Sequence, residues 1–221
     1  MQSNTKDNDV SQYPKDSFVI VIGRQFGSGG RMIGRKISEA LGVPYYDKSL
    51  LKEAASDLGF NPHIFHEADE KRPSFLRSLL HLNYGAAGAP HDTSSLSNEG
   101  LYTAQSRVVR KIAERGSCVI VGRTADHILK DHPKLVSLFL HAPIEDRARR
   151  VAGRGDAEAI EKAISMANHT DRKRESYYNY FTGRRWGFSD NYTMSIDSSK
   201  VSPESIITLI KDILNRPEGN K

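Results

Sequence analysis

The sequence predicts an α/β fold in which helices flank a parallel β-sheet. Continuous apolar runs at residues 18–22, Cys118–Val121 and 135–140 are typical of strands that are buried on both faces of such a sheet. The segments between them carry apolar residues at three- and four-residue spacing, which predicts helices. The chain has 221 residues and no visible internal repeat, so we expect a single domain.

The first part of the chain has the order strand, glycine loop, helix, strand. The strand at residues 18–22 runs into four glycines between positions 23 and 30. From Arg31 the apolar spacing becomes helical, and Gly42 is suited to end that helix. A short strand at residues 43–46 then ends in Asp47, and a helix follows at residues 49–58. This order predicts a βαβ unit.

The rest of the chain alternates helices and strands after a less regular middle. Helical patches occur at residues 62–69 and 73–82, and a stretch rich in Gly, Ala and Ser predicts a mobile loop at residues 84–100. Ser202 and Pro203 are residue types that favour a helix start. The remaining predicted elements are helices at 101–115, 124–130, 144–151, 156–180 and 203–214, and strands at Cys118–Val121, 135–140 and 192–196.

The ends of the chain and its cysteine content set further expectations. We expect flexible tails at residues 1–16 and 216–221 around a domain at residues 17–215. The polar start lacks the apolar segment of a signal peptide, and no apolar run approaches the roughly 18 residues that span a bilayer. Cys118 is the one cysteine and lies in an apolar run, so we expect a buried thiol and a reducing compartment. These features predict a soluble cytoplasmic protein.

Basic residues are concentrated in one segment. The net charge is +5, and residues 147–185 contain ten Lys and Arg against five Asp and Glu. This segment accounts for the whole excess, which predicts a local surface for an anion. The distribution argues against a protein that coats nucleic acid with a uniformly basic surface.

The glycine loop at residues 23–31 favours phosphate binding. Glycines let successive backbone N–H groups converge, and the positive end of the following helix adds to their attraction for an anion. The P-loop pattern G-x-x-x-x-G-K-[ST] aligns best with its second glycine at Gly29. Gly30 then stands in place of the lysine, Arg31 in place of Ser or Thr, and Arg24 in place of the first glycine. A purely structural glycine turn therefore stays open as an alternative.

A nearby guanidinium could supply the positive charge that the lysine provides in the P-loop pattern. Arg24 and Arg31 flank the loop, and Arg35 follows one helical turn later. Arginine is permanently charged and can bind two phosphate oxygens at once, so the substitution is chemically reasonable. For Arg35, a solvated helix charge is the simpler interpretation.

Several further motifs occur together with this loop in one order and spacing. They are Pro44-Tyr45-Tyr46-Asp47, Val119-Ile120-Val121-Gly122-Arg123 with Ala125-Asp126, Ala142-Pro143-Ile144-Glu145-Asp146-Arg147, Asp171-Arg172-Lys173-Arg174 with Tyr177-Tyr178, and Ile196-Asp197-Ser198-Ser199. From residue 18 to about 213, the chain resembles the cytidylate-kinase-like family of P-loop proteins. The resemblance implies a nucleoside-monophosphate-kinase architecture, with an Arg-rich lid that corresponds to about residues 152–188.

The resemblance implies a set of site residues, and phosphoryl transfer explains why cations dominate it, because charge on the transferring group must be neutralised. The catalytic candidates are Arg31, Arg123, Arg172 and Arg174. The candidates for the nucleotide phosphates are Gly27, Ser28, Gly29, Gly30 and Arg31, and those for the acceptor are Asp47, Arg123 and Asp126.

Local chemistry supports some of these roles and leaves others open. Arg123 follows a strand at the edge where open parallel sheets bind ligands. Arg174 lies three residues after Asp171 on a predicted helix, so that carboxylate could orient it. Asp47 could bind a ribose or a base edge, or it could cap the following helix. Asp126 could hold the acceptor or a water-coordinated magnesium ion.

Two further features are open between a ligand and a structural role. Arg147 could bind phosphate or pair with charges at its helix surface. The aromatic and basic stretch at residues 177–186 could stack a base, or it could pack the lid against the body of the domain.

We therefore expect ATP-dependent phosphoryl transfer to a small acceptor such as CMP, with Mg²⁺ arriving bound to the nucleotide. The partners are then small nucleotides, without a membrane partner, and the oligomeric state is open. A different small acceptor is one alternative. A nucleotide-binding or sensing protein without catalysis is another, because the absent lysine normally stabilises the transition state. The third is a nucleic-acid-binding role for residues 177–186.

Overall fold

A five-stranded parallel sheet with helices on both faces is formed by residues 13–60 and 98–216, which the computed structural model describes. The predicted α/β class is confirmed. In chain order the elements are β1 Val19–Arg24, α1 Gly30–Leu41, β2 Tyr45–Tyr46, α2 Lys48–Asp57, α3 Asn98–Glu114, β3 Cys118–Val121, α4 Ala125–Ile128, β4 Leu135–His141, α5 Ile144–Gly153, α6 Ile160–Thr182, a 3₁₀ turn Ser189–Asn191, β5 Met194–Asp197 and α7 Pro203–Leu214.

The strand order is β2-β3-β1-β4-β5, which places β1 in the centre of the sheet. Val19 pairs with Cys118 of β3 on one side and with Leu135 of β4 on the other. Because all the pairings are parallel, the carboxyl ends of the strands meet at one edge. The glycine loop after β1 and the turn after β3 therefore lie side by side, where ligands bind in open α/β sheets.

The two faces of β1 belong to two different hydrophobic clusters. Val19 and Val21 pack with residues of α2 and α3, whereas Ile20 and Ile22 pack with residues of α1 and α7. All four side chains are at most 1% exposed. Burial on both faces explains why the strand reads as a continuous apolar run rather than as an alternating one.

The predicted elements that fall within residues 13–60 and 98–216 are present with shifted ends. The strand expected at residues 43–46 is limited to Tyr45–Tyr46, because the Val43 N–H donates to the Ser38 carbonyl at the end of α1. The helix expected from residue 156 begins at Ile160. The Asp156 N–H instead closes a turn onto the Val151 carbonyl, after Gly155 with φ 77°. The Ser202 cap and the helix start at Pro203 are confirmed, with the Ser202 side chain accepting from the Ser205 N–H.

The end of the predicted tail at residue 16 is wrong, because the chain already packs on the domain from residue 13. Tyr13 is buried, and its ring centroid lies 4.3 Å from that of His132. Lys134 adds an exposed ion pair with Asp16 at 3.0 Å. The helical patches at 62–69 and 73–82 lie outside the described residues, as does the predicted loop except for residues 98–100, which begin α3.

Two simpler expectations concern the membrane and the cysteine. None of the helices within 13–60 and 98–216 has the length and apolar character required to cross a bilayer. Cys118 is buried in β3 as predicted, and burial raises the pKa of its thiol to about 12. A thiol in this environment stays protonated and acts as a small apolar side chain.

Candidate active site at the glycine loop

The glycine loop turns sharply between β1 and α1. Gly27 and Gly29 have φ of 80° and 85°, a left-handed conformation that glycine adopts without strain. A Cβ atom on Gly27 would lie 2.7 Å from the Arg147 carbonyl oxygen of α5, so no larger residue fits. Gly29 precedes α1, and no described side chain caps this helix. Its first backbone N–H groups are therefore left for water or an anion.

Four arginines surround the loop. Arg24 ends β1 and is half-buried, and the cations that act on its charge are Arg174, Arg123 and Arg31. Burial first, and then these three positive charges, lower the pKa of Arg24 to about 9. The group stays protonated at neutral pH, so like charges are held close together. A bound polyanion would relieve their repulsion, which is the electrostatic arrangement of a phosphate site.

The turn after β3 holds Arg123 in a strained backbone conformation. Gly122, Arg123 and Thr124 have φ of 83°, 63° and 52° in succession. The left-handed region costs a non-glycine residue roughly 1 kcal/mol or more, and such strain is concentrated at functional sites. The arrangement supports the prediction that Arg123 belongs to the ligand site at the carboxyl end of β3.

Asp47 caps α2 and also faces Arg31. The residue is only 4% exposed, and its Oδ1 accepts from the backbone N–H groups of Ser49 and Leu50 at 3.0 and 3.3 Å. Its Oδ2 lies 4.0 Å from Nε of Arg31, whose side chain is 68% exposed. Burial would raise the pKa of Asp47, but these hydrogen bonds and the charge of Arg31 hold it below its usual value. The carboxylate can thus orient Arg31 at the edge of the sheet.

A largely buried carboxylate connects α6 to the backbone of the glycine loop. Asp171 accepts from the Phe26 N–H at 2.7 Å and from Nη1 of Arg147 at 2.6 Å. Arg147 is 6% exposed, and it also donates to the carbonyl oxygens of Ala142 and Phe26. Of the two interpretations left open for Arg147, charge pairing at the helix surface does not describe this contact, because packing of α6 on α5 buries its guanidinium against Asp171.

The predicted orientation of Arg174 by Asp171 has a direct counterpart in the structure. Nη1 of Arg174 lies 3.5 Å from Oδ1 of Asp171 and donates to the Arg24 carbonyl oxygen at 3.1 Å. The guanidinium also lies over the ring of Phe26, 5.7 Å from its centroid. These contacts hold Arg174 beside the loop.

A second set of polar contacts braces the other side of the loop and was missed from the sequence. Nη2 of Arg150 donates to the Ser198 carbonyl oxygen at 2.8 Å, and Oγ of Ser198 donates to the Ser28 carbonyl oxygen at 2.7 Å. Gln25 is held by the Ala142 N–H, which donates to its Oε1 at 3.2 Å. A single serine or glutamine belongs to no spacing that can be recognised in the sequence. The motif at Ile196 to Ser199 marks this region without assigning a role to Ser198.

Asp126 lies beneath α6 rather than in an open position. Its Oδ2 accepts from the Tyr178 hydroxyl at 2.7 Å, and both residues are buried. Burial raises the pKa of Asp126, with the Tyr178 hydrogen bond acting in the opposite direction. The same burial, together with the Asp126 charge, raises the pKa of Tyr178. This pair connects α4, directly after Arg123, to α6.

The aromatic residues of α6 and of the segment that follows it pack against the body of the domain. Phe181 stacks on Tyr102 of α3, with ring centroids 4.3 Å apart and planes at 7°. Trp186 meets Phe139 of β4 edge-on at 5.2 Å. These contacts favour the packing interpretation of residues 177–186 over base stacking.

Arg172 lines a groove of about 730 Å³ at the carboxyl ends of β4 and β5. His141, Glu175, Trp186 and Asp197 line the same groove. The structure thus brings Arg31, Arg123 and Arg174 together with Arg24, whereas Arg172 lines this groove with Asp171.

Comparison with known proteins decides the family. A sequence model of the cytidylate kinase-like family matches residues 19–200. The chain belongs to the cytidylate kinase-like family. Relatives of this cytidylate kinase-like protein include the cytidylate kinase of Pyrococcus horikoshii, 26% identical over 203 residues that cover 90% of this chain and 88% of that protein. The cytidylate kinase of Methanopyrus kandleri is 24% identical and covers 88% of this chain and 92% of its own length.

Solved structures show the same fold. An uncharacterized protein from Eubacterium ventriosum superposes with a TM-score of 0.67 at 28% identity, covering 90% of this chain and all of that one. The shikimate kinase of Bacteroides thetaiotaomicron reaches a TM-score of 0.50 at 12% identity over 90% of this chain and 99% of its own, which is a likeness of fold alone. The P-loop kinase fold of this cytidylate kinase-like protein is thereby confirmed.

Proposed function

We propose that this protein transfers the γ-phosphoryl group of ATP to a nucleoside monophosphate, with CMP as the acceptor. The observation that carries the proposal is the grouping of Arg24, Arg31, Arg123 and Arg174 around an uncapped helix start. Phosphoryl transfer requires mainly positioning and the neutralisation of charge, which such a group provides. The relatives named cytidylate kinase support CMP as the acceptor.

The proposed roles divide the edge of the sheet into two parts. The backbone of Gly27, Ser28, Gly29 and Gly30 binds the phosphates of ATP, and Arg174 reaches the transferring group from α6. Arg123 binds the acceptor phosphate at the end of β3. Arg31, oriented by Asp47, lies between the two and neutralises charge in the transition state.

Two of the residues predicted from the sequence have indirect roles in this proposal. Asp126 positions the acceptor site by tying α4, and with it Arg123, to Tyr178 of α6. Arg172 belongs to the lid, which we assign to residues 152–188, and would meet the nucleotide only when the lid closes. Since Asp171 joins this segment to the loop backbone, a ligand on the loop can influence the lid through one carboxylate.

Magnesium enters the proposal as part of the MgATP substrate. Among residues 13–60 and 98–216, no group of three His, Cys, Asp or Glu side chains could hold a metal ion. Asp47 caps a helix, Asp126 binds Tyr178, and Arg31 stands where the P-loop pattern has Ser or Thr. Within the described ranges, these side chains therefore do not build a magnesium site.

The direct test is to incubate the protein with MgATP and CMP, dCMP, UMP or AMP, and to separate the nucleotides by chromatography. We expect ADP and CDP to form in equal amounts, with CMP the preferred acceptor. Arg123→Gln should raise the KM for CMP more than the KM for ATP, whereas Arg107→Gln, at an exposed position on α3, should change neither. ATP binding without phosphorylation of any acceptor would overturn the proposal.

That negative result would support a second candidate, a nucleotide-binding protein without catalysis. The observation in its favour is Gly30, which stands where the P-loop pattern has its lysine. Calorimetric titration with MgATP measures the binding that both functions require, and the turnover assay separates them, since only the first function phosphorylates an acceptor.

A further inference from the structure

The glycine loop differs from the P-loop pattern by an exchange of two residue types. The pattern has a glycine where this chain has Arg24, and it has a lysine where this chain has Gly30. A cation and a glycine are both present, but at each other's positions. The question is whether the Arg24 side chain occupies the space over Gly30.

The structure shows that the stem of Arg24 covers Gly30. A Cβ atom on Gly30 would lie 2.8 Å from Cγ and 2.9 Å from Cβ of Arg24. Real Cβ atoms almost never approach other heavy atoms this closely, so any side chain at position 30 would displace Arg24. The absence of a lysine at this position and the presence of the arginine are thus one structural feature.

The far end of the Arg24 side chain reaches the turn after β3. A Cβ atom on Gly122 would overlap Nη1 of Arg24 and lie 3.1 Å from Cζ. The side chain therefore runs from the start of α1 to the end of β3, between two glycines. Gly122 also has a φ of 83°, so both its conformation and its lack of a side chain suit this position.

The guanidinium ends in the region where the other cations act. Arg123 follows Gly122 directly, and burial, followed by the charges of Arg174, Arg123 and Arg31, lowers the pKa of Arg24 to about 9. The carbonyl oxygen of Arg24 is held by Arg174 at 3.1 Å, which fixes the start of its side chain. Such a fixed, desolvated cation can bind two oxygens of one phosphoryl group.

We propose that Arg24 is the catalytic cation of this glycine loop and takes the role that the lysine has in the P-loop pattern, with Gly30 and Gly122 providing its space. The proposal rests on the proposed kinase function. In the reaction, an oxygen of the acceptor phosphate forms a bond to the γ-phosphorus while the bond to the β–γ bridging oxygen breaks. ADP keeps that oxygen and its electron pair, and no proton moves when the acceptor phosphate is a dianion. Arg24 neutralises charge on the γ-phosphoryl oxygens.

A reciprocal exchange tests the proposal. Arg24→Gly should lower kcat about a hundredfold, the usual effect of removing one such donor. Gly30→Lys alone should also lower kcat, because two cations then compete for one space. The double variant Arg24→Gly with Gly30→Lys restores the P-loop order and should recover at least about tenfold of the kcat lost in Arg24→Gly. Arg107→Gln serves as the control for loss of one arginine.

Binding of inorganic tripolyphosphate, measured by calorimetry, keeps this test separate from the kinase function. Arg24→Gln, which retains a side chain of similar length, should weaken binding about tenfold or more even if the wild-type protein phosphorylates no acceptor. Unchanged thermal unfolding would show that Arg24→Gln is folded. Wild-type tripolyphosphate affinity in a folded Arg24→Gln, or wild-type kcat in Arg24→Gly, would overturn the proposal for Arg24 and leave the kinase proposal standing.

Discussion

Arginines on the two sides of the glycine loop are used in opposite ways. On the α5 side, Arg147 is buried and donates to Asp171 and to two backbone carbonyl oxygens, and Arg150 donates to Ser198. On the β3 side, Arg24 lies among further arginines, and the side chain of Arg31 is 68% exposed. The first group meets acceptors within the protein, whereas the second group concentrates positive charge.

The difference shows that a count of basic residues does not locate a phosphate site. The segment at residues 147–185 holds the entire charge excess of the sequence, yet its best-buried arginine is a structural one. Three of the four arginines around the loop, namely Arg24, Arg31 and Arg123, lie outside that segment. The prediction that its excess charge faces an anion therefore applies to Arg174 and not to Arg147.

The largest expected effect on stability comes from breaking the buried pair. Arg147→Met removes the nearer of the two cations beside the Asp171 carboxylate and leaves Arg174 at 3.5 Å, and we expect the free energy of unfolding to fall by about 3 kcal/mol. Arg31→Met, at a side chain that is 68% exposed, should lower that free energy by less than about 1 kcal/mol while it weakens nucleotide binding. Denaturant unfolding of both variants measures the difference. Similar stability losses would contradict the division of the arginines into two groups.

A smaller effect is expected at Asp47, where the cap and the charge can be separated. Asp47→Ala removes the hydrogen bonds to the start of α2 and should cost about 1 kcal/mol. Asp47→Asn keeps an oxygen that can cap the helix, so its stability should stay within a few tenths of a kcal/mol of the wild type. If the carboxylate orients Arg31, Asp47→Asn should still raise the KM for CMP. Equal kinetics in Asp47→Asn and the wild type would confine Asp47 to its capping role.

The smallest effect concerns the pH dependence of stability at Asp126. The pKa of Asp126 is raised above 3.8 in the folded state. This shift contributes fully to the free energy of unfolding below pH 3.8, and the contribution is lost as the pH rises through the pKa of the folded state. Asp126→Asn does not titrate and can still accept from Tyr178. Its stability relative to the wild type should therefore increase with pH from about 4 upwards. Thermal unfolding against pH, with the exposed Asp131→Asn as control, checks the sign, and an opposite trend would refute it.

Much of the fold could be predicted because it depends on local patterns. The buried strands follow from apolar runs, and the start of α7 follows from the residue types of Ser202 and Pro203. The spacing of Asp171 and Arg174 also predicted their contact, because residues three apart share a helix face. The structure has this contact at 3.5 Å.

The rest depends on packing between distant segments. Whether Arg147 faces solvent is decided by α6, which lies on the same side of α5 as its guanidinium. The path of Arg24 is decided by the absence of side chains at Gly30 and Gly122, about a hundred residues apart. The role of Ser198 depends on the approach of three backbone segments. None of these contacts corresponds to a residue spacing that can be recognised in the sequence.

The central position of β1 has a consequence for how the protein folds. Val19 finds its two neighbours, Cys118 and Leu135, only about a hundred residues further along the chain. Such long-range pairing slows folding and leaves an apolar strand without partners until late in synthesis. The glycine loop follows this strand, so it takes its shape only after β4 has docked. Nucleotide added during refolding should therefore act on the last steps and leave the early collapse unchanged.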